Sequence, residues 1–241
     1  MKVYLNSIDG IADAFTSLLM SKRSWTPEKE AIIRENCERV LTRGGEIRHY
    51  VPAEDLAEYE KWMRALLKWG THHITLLKFI DLSFTVEGMH RAGQDDWDAH
   101  AQRFQNRIIR SSTRLADFQA GEMSGWYCHK IIPTDEALRQ IGMELPEKID
   151  VEGETYVKAV NGYIREDLKD NKDVKRGLYM LSIPSNFIFR CNLADFAHVY
   201  QQRGQHGGAN PEVKEAAEMM VDLITASQPM ITREVLLDVE N

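Results

Sequence analysis

The sequence predicts an α+β (mixed α/β) fold in which several helices surround one sheet, and three observations carry that prediction. The opening segments repeat apolar residues at helical spacing, and the period drops to two near residues 74–86. Helices and strands then alternate irregularly, with no fixed repeat and no low-complexity linker. A chain of 241 residues with ordinary apolar content can build one sizeable core, so a single domain is expected over residues 1–241.

In "IADAFTSLLM", Ile11, Phe15, Leu18 and Leu19 recur at helical spacing. The second helix begins with Thr26 as N-cap and Pro27 in the first turn, and is expected to stop at Gly44 and Gly45. A third runs from Ala53 to Gly70. In "ITLLKFIDLSFTV", Ile74, Leu76, Ile80, Leu82, Phe84 and Val86 alternate with more polar neighbours, the pattern of an extended strand. "DDWDAHAQRFQNRI" returns to helix, "STRLADFQ" and "WYCHKIIP" read as extended, and "PTDEALRQIG" is a short helix begun by Thr134. "EGETYVKAVNGYIREDLKD" and "KDVKRGLYML" read as a helical pair before Pro184, and "NFIFRCN" as a strand. Two helices close the chain, the second begun by Asn210 and Pro211.

A formal net charge of −7 argues against a surface built to grip nucleic acid or an anionic membrane, so any anion site must be local. Cys37, Cys128 and Cys191 are few, odd in number and without metal-ligand spacing, which suits structural thiols in a reducing compartment. Asn6, Asp9 and Asp13 interrupt the apolar run a signal peptide needs, and no segment is long and apolar enough to span a bilayer. A soluble, cytoplasmic protein is expected. There is no phosphate-cradling glycine loop, no H-E-x-x-H or C-x-x-C, and no G-x-S-x-G elbow, so no metal site is expected.

What remains is arginine on structured segments. Arg103, Arg107, Arg110 and Arg114 lie in "RFQNRIIRSSTRL"; if the helix persists, the first three share one side and would repel unless an anion sat among them. Ser112 and Arg114 are two apart, so on a strand a hydroxyl and a guanidinium share a face. Arg176 and Arg203 add cations from distant parts of the chain. The plainer alternative is a solvated basic edge paired with the chain's acids.

The stretch "KRGLYMLSIPSNFIFRCNLADFAHVYQQRGQHGGANPE" resembles the C-terminal core of the flavin-dependent thymidylate synthases. By that resemblance Arg176, Asn192 and Arg203 match in register, and Ala209 to Glu212 match the family's A-Q-x-E after one inserted residue. "GTHHITLLKF" is similar to the family's G-H-x-[ST] segment and places His73 and Thr75 on its histidine and threonine. "QNRIIRSSTRL" resembles a worn form of R-H-R-x-x-S-x-N-E-x-S-x-R-Y, in which Ser112 and Arg114 keep the S-x-R. Gln105, Asn106 and Arg107 stand at its R-H-R, Arg110 where the glutamate would fall, and Leu115 at the tyrosine. Ala194 replaces a family arginine, and His198 stands where an asparagine often contacts flavin.

The resemblance implies a fold like that of the thymidylate-synthase-complementing proteins, with a central, largely antiparallel sheet. It implies C5-methylation of dUMP to dTMP with FAD, and with methylenetetrahydrofolate and NADPH as co-substrates. Arg203 would be the catalytic group, and Arg176, Ser112 and Arg114 would hold the nucleotide's phosphate and sugar. His73, Thr75, Asn106, Arg107, Asn192 and His198 would line the flavin, in active sites shared across a homotetramer. A relative acting on another pyrimidine nucleotide such as UMP, and a non-catalytic nucleotide-binding homologue, are the alternatives. Taken singly, Asn192 is also a natural helix N-cap and Arg203 a favourable cation at a helix C-terminus.

Overall fold

The computed structural model describes residues 1–70, 72–101, 107–112, 134–159, 162–171, 184–205 and 210–236. Strands β1 (Lys2–Asp9), β2 (Asp81–His90), β3 (Arg107–Arg110) and β7 (Pro184–Asn192) form an antiparallel sheet in the order β1-β2-β7-β3. A second antiparallel sheet has the order β4-β5-β6, from Lys148–Val151, Glu154–Ala159 and Gly162–Arg165. The helices are α1 (Ile11–Ser21), α2 (Pro27–Val40), α3 (Ala53–Gly70), α4 (Arg91–Ala101), α5 (Thr134–Gln140), α6 (Leu193–Tyr200), α7 (Pro211–Ser227) and the single turn α8 (Pro229–Ile231). The class is α+β, as expected.

Alternation builds the four-stranded sheet. Leu82, Phe84 and Val86 of β2 and Phe187, Phe189 and Cys191 of β7 point to one face and are buried there. On the other face Ile188 is 51% exposed, and its cross-strand partner Ile109 is 75% exposed. Against the inner face lie Phe15 and Leu18 of α1, Met63 and Leu66 of α3, Phe196 of α6, and Ala217 and Met220 of α7, in one continuous apolar cluster. Burying this set supplies the main stabilisation of the fold.

Four local expectations are corrected. β1 was not expected, because its alternation changes phase: the ladder shifts register between Leu5 and Ser7, so Val3 and Ile8, an even-odd mismatch, are both buried. The strand expected from Ile74 begins only at Asp81, and Ile74–Phe79 is a 3-10 helix that buries the adjacent Leu76 and Leu77, which no strand face can do. Helix α2 stops at Val40, before Gly44, because the next residues turn back to form a bridge between Leu41 and Ile47. The segment read as the first of a helical pair holds the turn after β4, strands β5 and β6, and the 3-10 turn Glu166–Leu168. Glu152 and Gly153, with φ of 52° and 87°, form the two-residue turn between β4 and β5, and Thr155, Tyr156 and Val157 favour extended backbone. The segments 113–133 and 172–183, which hold both expected extended stretches and the second helix of that pair, lie outside the described residues.

Candidate active site

The site grows from the place where β2 ends. His90, its last residue, is followed at once by α4, and Trp97 anchors that helix with its ring edge-on to Phe189 at 5.3 Å and 90°. With Trp97 inward, the acids of "DDWD" spread over two flanks of the helix, and each flank takes an arginine. Asp95 accepts from Arg110 Nη1 of β3 at 2.5 Å, Asp98 accepts from Arg110 Nη2, and the Gln94 carbonyl accepts from the same nitrogen at 3.1 Å. Asp96 Oδ1 lies 2.8 Å from Arg203 Nη2.

Arg203 sits in the widened π-type turn Gln201–Gln205 that ends α6. Its side chain is 21% exposed, and the neighbouring Gly204 is buried so tightly that an added Cβ would lie 2.3 Å from the Tyr200 ring. The guanidinium is therefore held at a set place between two helices. The helix expected to carry Arg103, Arg107 and Arg110 together does not persist: α4 ends at Ala101, and Arg107 and Arg110 are on β3. The countercharge for Arg110 comes from α4 itself, so its charge does not require a bound anion.

Beneath this arrangement lies a buried pair of His90, which the sequence did not single out, and Glu212, which closes the Ala209–Glu212 match. Glu212, at the start of α7, accepts the His90 backbone N–H at 3.1 Å, and its Oε2 stands 2.9 Å from His90 Nδ1. The Gly93 N–H donates to the same Nδ1 at 3.0 Å, so that nitrogen is an acceptor in a neutral ring. A carboxylate facing that lone pair would be repelled, and burial indeed pushes the Glu212 carboxyl up to about 7 and the His90 imidazole down. Gly93 is required here, since a Cβ on it would lie 2.5 Å from Glu212 Oε2. The available signal was the acid after Asn210-Pro211, a first-turn position that also suits a plain helix start.

The other expected residues are placed unevenly. His73 opens the 3-10 helix, exposed, with its ring stacked on Trp69 at 5.8 Å and 9°; Thr75 is exposed on the same turn. Asn192 caps α6: its Oδ1 accepts the Asp195 N–H at 2.9 Å and its Nδ2 donates to Asp195 Oδ2 at 2.8 Å. His198 is exposed on α6, and Ala194 is buried in the core. Ser112 is exposed just beyond β3. Asn106, Arg114 and Arg176 lie outside the described residues, as does the side chain of Arg107.

His73, Thr75 and Asn192 gather where β2 starts and β7 ends, whereas Arg203 and Arg110 gather at the opposite end of those strands. Nine residues of β7 separate the two ends, about 26 Å at roughly 3.3 Å per residue. Among the described residues no cluster of His, Cys, Asp and Glu could hold a metal ion, and no helix is long and apolar enough to cross a membrane. Burial pushes the Cys37 thiol up to about 12 and the Cys191 thiol upward as well, so neither is an activated nucleophile.

Neither a protein-family model nor a curated protein matches the sequence. Solved structures do match the fold. One is Thymidylate Synthase X (ThyX) from Helicobacter pylori with FAD and dUMP, at a TM-score of 0.57 and 11% identity, covering 98% of this chain and 100% of that one. A second is the flavin-dependent thymidylate synthase ThyX from Helicobacter pylori complexed with FAD and dUMP, at a TM-score of 0.55 and 11% identity, covering 95% and 99%. The chain shares the fold of these two structures along nearly its whole length, and at this identity the relationship is a structural one.

Proposed function

We propose that the protein is a single-domain, cytosolic, flavin-dependent enzyme that methylates C5 of a uridylate, converting dUMP to dTMP with methylenetetrahydrofolate as one-carbon donor and NADPH as reductant. The observation that carries this reading is the fold shared over 98% of the chain with a structure holding FAD and dUMP. The position of Arg203 adds to it. C5 of uracil is a weak, enamine-like nucleophile, and negative charge grows on the ring carbonyl and N3 as it attacks. A guanidinium held against the ring stabilises that charge without a covalent protein nucleophile. Asp96 orients Arg203 for this role through Nη2, and the five donors of a guanidinium allow it to hold an acid and face a ligand at once. Arg176, Ser112 and Arg114 are assigned to the phosphate and sugar.

FAD, when bound, supplies the electrons that complete the methyl group. His73 and Thr75 fit its surface, both exposed on one turn with the His73 ring backed by Trp69. Asn106, Arg107 and His198 are assigned to the same surface. Asn192 is assigned there too: Asp195 takes one bond at each end of its amide, which leaves one N–H and one lone pair for a ligand. The separation of the flavin-side residues from Arg203 within one chain supports sites completed between subunits of a homotetramer.

The engaged Asn192 and the buried Ala194 favour a second reading, a homologue that binds a pyrimidine nucleotide without turning it over, or acts on another such as UMP. The test is the absorption spectrum of the purified protein with added FAD, followed by a dUMP titration and an assay of tritium release from C5-labelled dUMP. A flavin band that dUMP perturbs, with tritium release abolished in Arg203→Ala, is expected. Nucleotide binding without flavin or release establishes the second reading, and absence of both flavin and nucleotide binding overturns each.

A further inference from the structure

We propose that the cleft between the β1–α1 turn, α2 and the segment 41–48 binds a small phosphate-bearing ligand, at a site separate from that of Arg203. The cleft measures about 410 Å³ and is lined by Arg34, Arg43, Arg48 and the Thr42 side of the segment. That volume suits a small phosphorylated metabolite.

Charge compensation singles the cleft out. In this chain of net charge −7, Arg39, Arg64, Arg110, Arg165, Arg190 and Arg203 are each held by a carboxylate. Arg34 is too, with Asp13 at 2.9 Å and Glu30 at 2.8 Å, so it contributes shape and donors more than net charge. Arg43 and Arg48 have no carboxylate partner among the described residues; Arg48 donates from Nη2 to the Glu38 carbonyl at 3.2 Å. Of the two acids lining the cleft, Asp9 is drawn to Arg190 at 3.2 Å, which leaves Glu38 against two uncompensated guanidiniums. A doubly charged phosphate with three acceptor oxygens matches that excess and the forked geometry of arginine.

The backbone around the arginines is rigidly placed. The Ile8 N–H donates to the Gly44 carbonyl at 2.8 Å, and the Gln228 side chain donates to the Gly45 carbonyl at 2.6 Å. Gly45, with φ of 80°, approaches so closely that a Cβ would lie 1.9 Å from the Ile8 carbonyl oxygen. The floor of the cleft is the start of α1, where Gly10 is the N-cap and offers no side-chain acceptor. A Cβ there would meet the Phe79 carbonyl oxygen at 2.0 Å, so a capping residue is excluded by packing. Gly10, Ile11 and Ala12 of that turn line a pocket already defined by its arginines.

The inference does not depend on the uridylate reading, and one titration separates the two. Inorganic pyrophosphate is titrated calorimetrically at low ionic strength into the full chain, into Arg43→Gln/Arg48→Gln, and into two controls, Arg23→Gln and Arg176→Ala, the latter removing a side chain assigned to the uridylate phosphate. Both cleft side chains are exposed, so the double variant should fold, and its melting curve checks that it does. One saturable site is expected, weakened about tenfold or more in the double variant and within about twofold in both controls. Lack of saturable binding, an unchanged affinity in the double variant, an equal loss in Arg23→Gln or a loss confined to Arg176→Ala would each overturn the proposal.

Discussion

Phe84 in β2 and Ile164 in β6 are both buried apolar residues of antiparallel strands, but they belong to sheets held in different ways. Phe84 is 0% exposed, stacks on Phe196 at 5.7 Å, and sits in a cluster that draws on four long helices. Ile164, 3% exposed, is the one buried apolar residue described in the three-stranded sheet and is not part of that cluster. The smaller sheet is instead edged by polar contacts: Lys148 to Glu166 at 2.6 Å, Arg165 to Glu154 at 3.1 Å and to Asp167 at 2.6 Å, and Thr155 to Asp150 at 2.7 Å. Exposed ion pairs contribute little, so the three-stranded sheet depends on its backbone ladder and a few half-buried side chains.

The sharpest way to break this contrast is to truncate both residues. Phe84→Ala should cost about 3 to 5 kcal/mol and lower the single global unfolding transition, whereas Ile164→Ala should cost about 2 kcal/mol or less. Amide exchange in Ile164→Ala should quicken over residues 148–165 while β2 and β7 keep their protection. Equal acceleration across both sheets would show that they unfold as one.

A smaller effect tests the buried pair at the edge of the main sheet. The Glu212 carboxyl is raised from 4.5 to about 7, so the folded protein holds the extra proton. Its contribution is full below pH 4.5 and lost as the pH rises through about 7. His90 is lowered from 6.5 by burial, so its contribution runs the other way, present above pH 6.5 and lost on acidification. Glu212→Gln isolates the first of these. Measured by urea unfolding, the variant should gain on the parent by about 1 to 2 kcal/mol between pH 5 and pH 8; a constant difference would mean that Glu212 is ionised throughout. The smallest effect belongs to the polar rim: Lys148→Ala should leave the melting temperature where it is, and a clear drop would mean that the three-stranded sheet leans on its ion pairs after all.

The same contrast explains what could be read in advance. Thr26-Pro27 and Asn210-Pro211 announced two helix starts because a capping side chain followed by proline has few other uses, and both caps form, to the Lys29 and Glu212 N–H groups. "NFIFRCN" was legible because burial on one face forces strict alternation. "EGETYVKAV" was not, since a strand half-buried on both faces has no apolar period to show. Of the candidate site, the helix that ends near Arg203 could be read from its apolar spacing, and the role of Arg203 only from the resemblance. Asp96 could not, because an acid on a neighbouring helix becomes its partner only through the fold, although three acids within "DDWD" were a visible source of countercharge. The capping of Asn192 was foreseen as one of two roles, and its geometry is that of the cap.

The order in which the main sheet is assembled has a consequence for synthesis. β1 is made well before its partner, since its ladder runs against residues 81–87, and β2 must then wait for Asn192 to meet Asp81. On the ribosome, α1, α2 and α3 can coil while still lacking the surface they cover, and the β1–β2 ribbon presents an unpaired edge while the segment between His90 and Pro184 is made. Closure of the sheet is thus a late and long-range event, and refolding from denaturant should be slow for a protein so rich in helix.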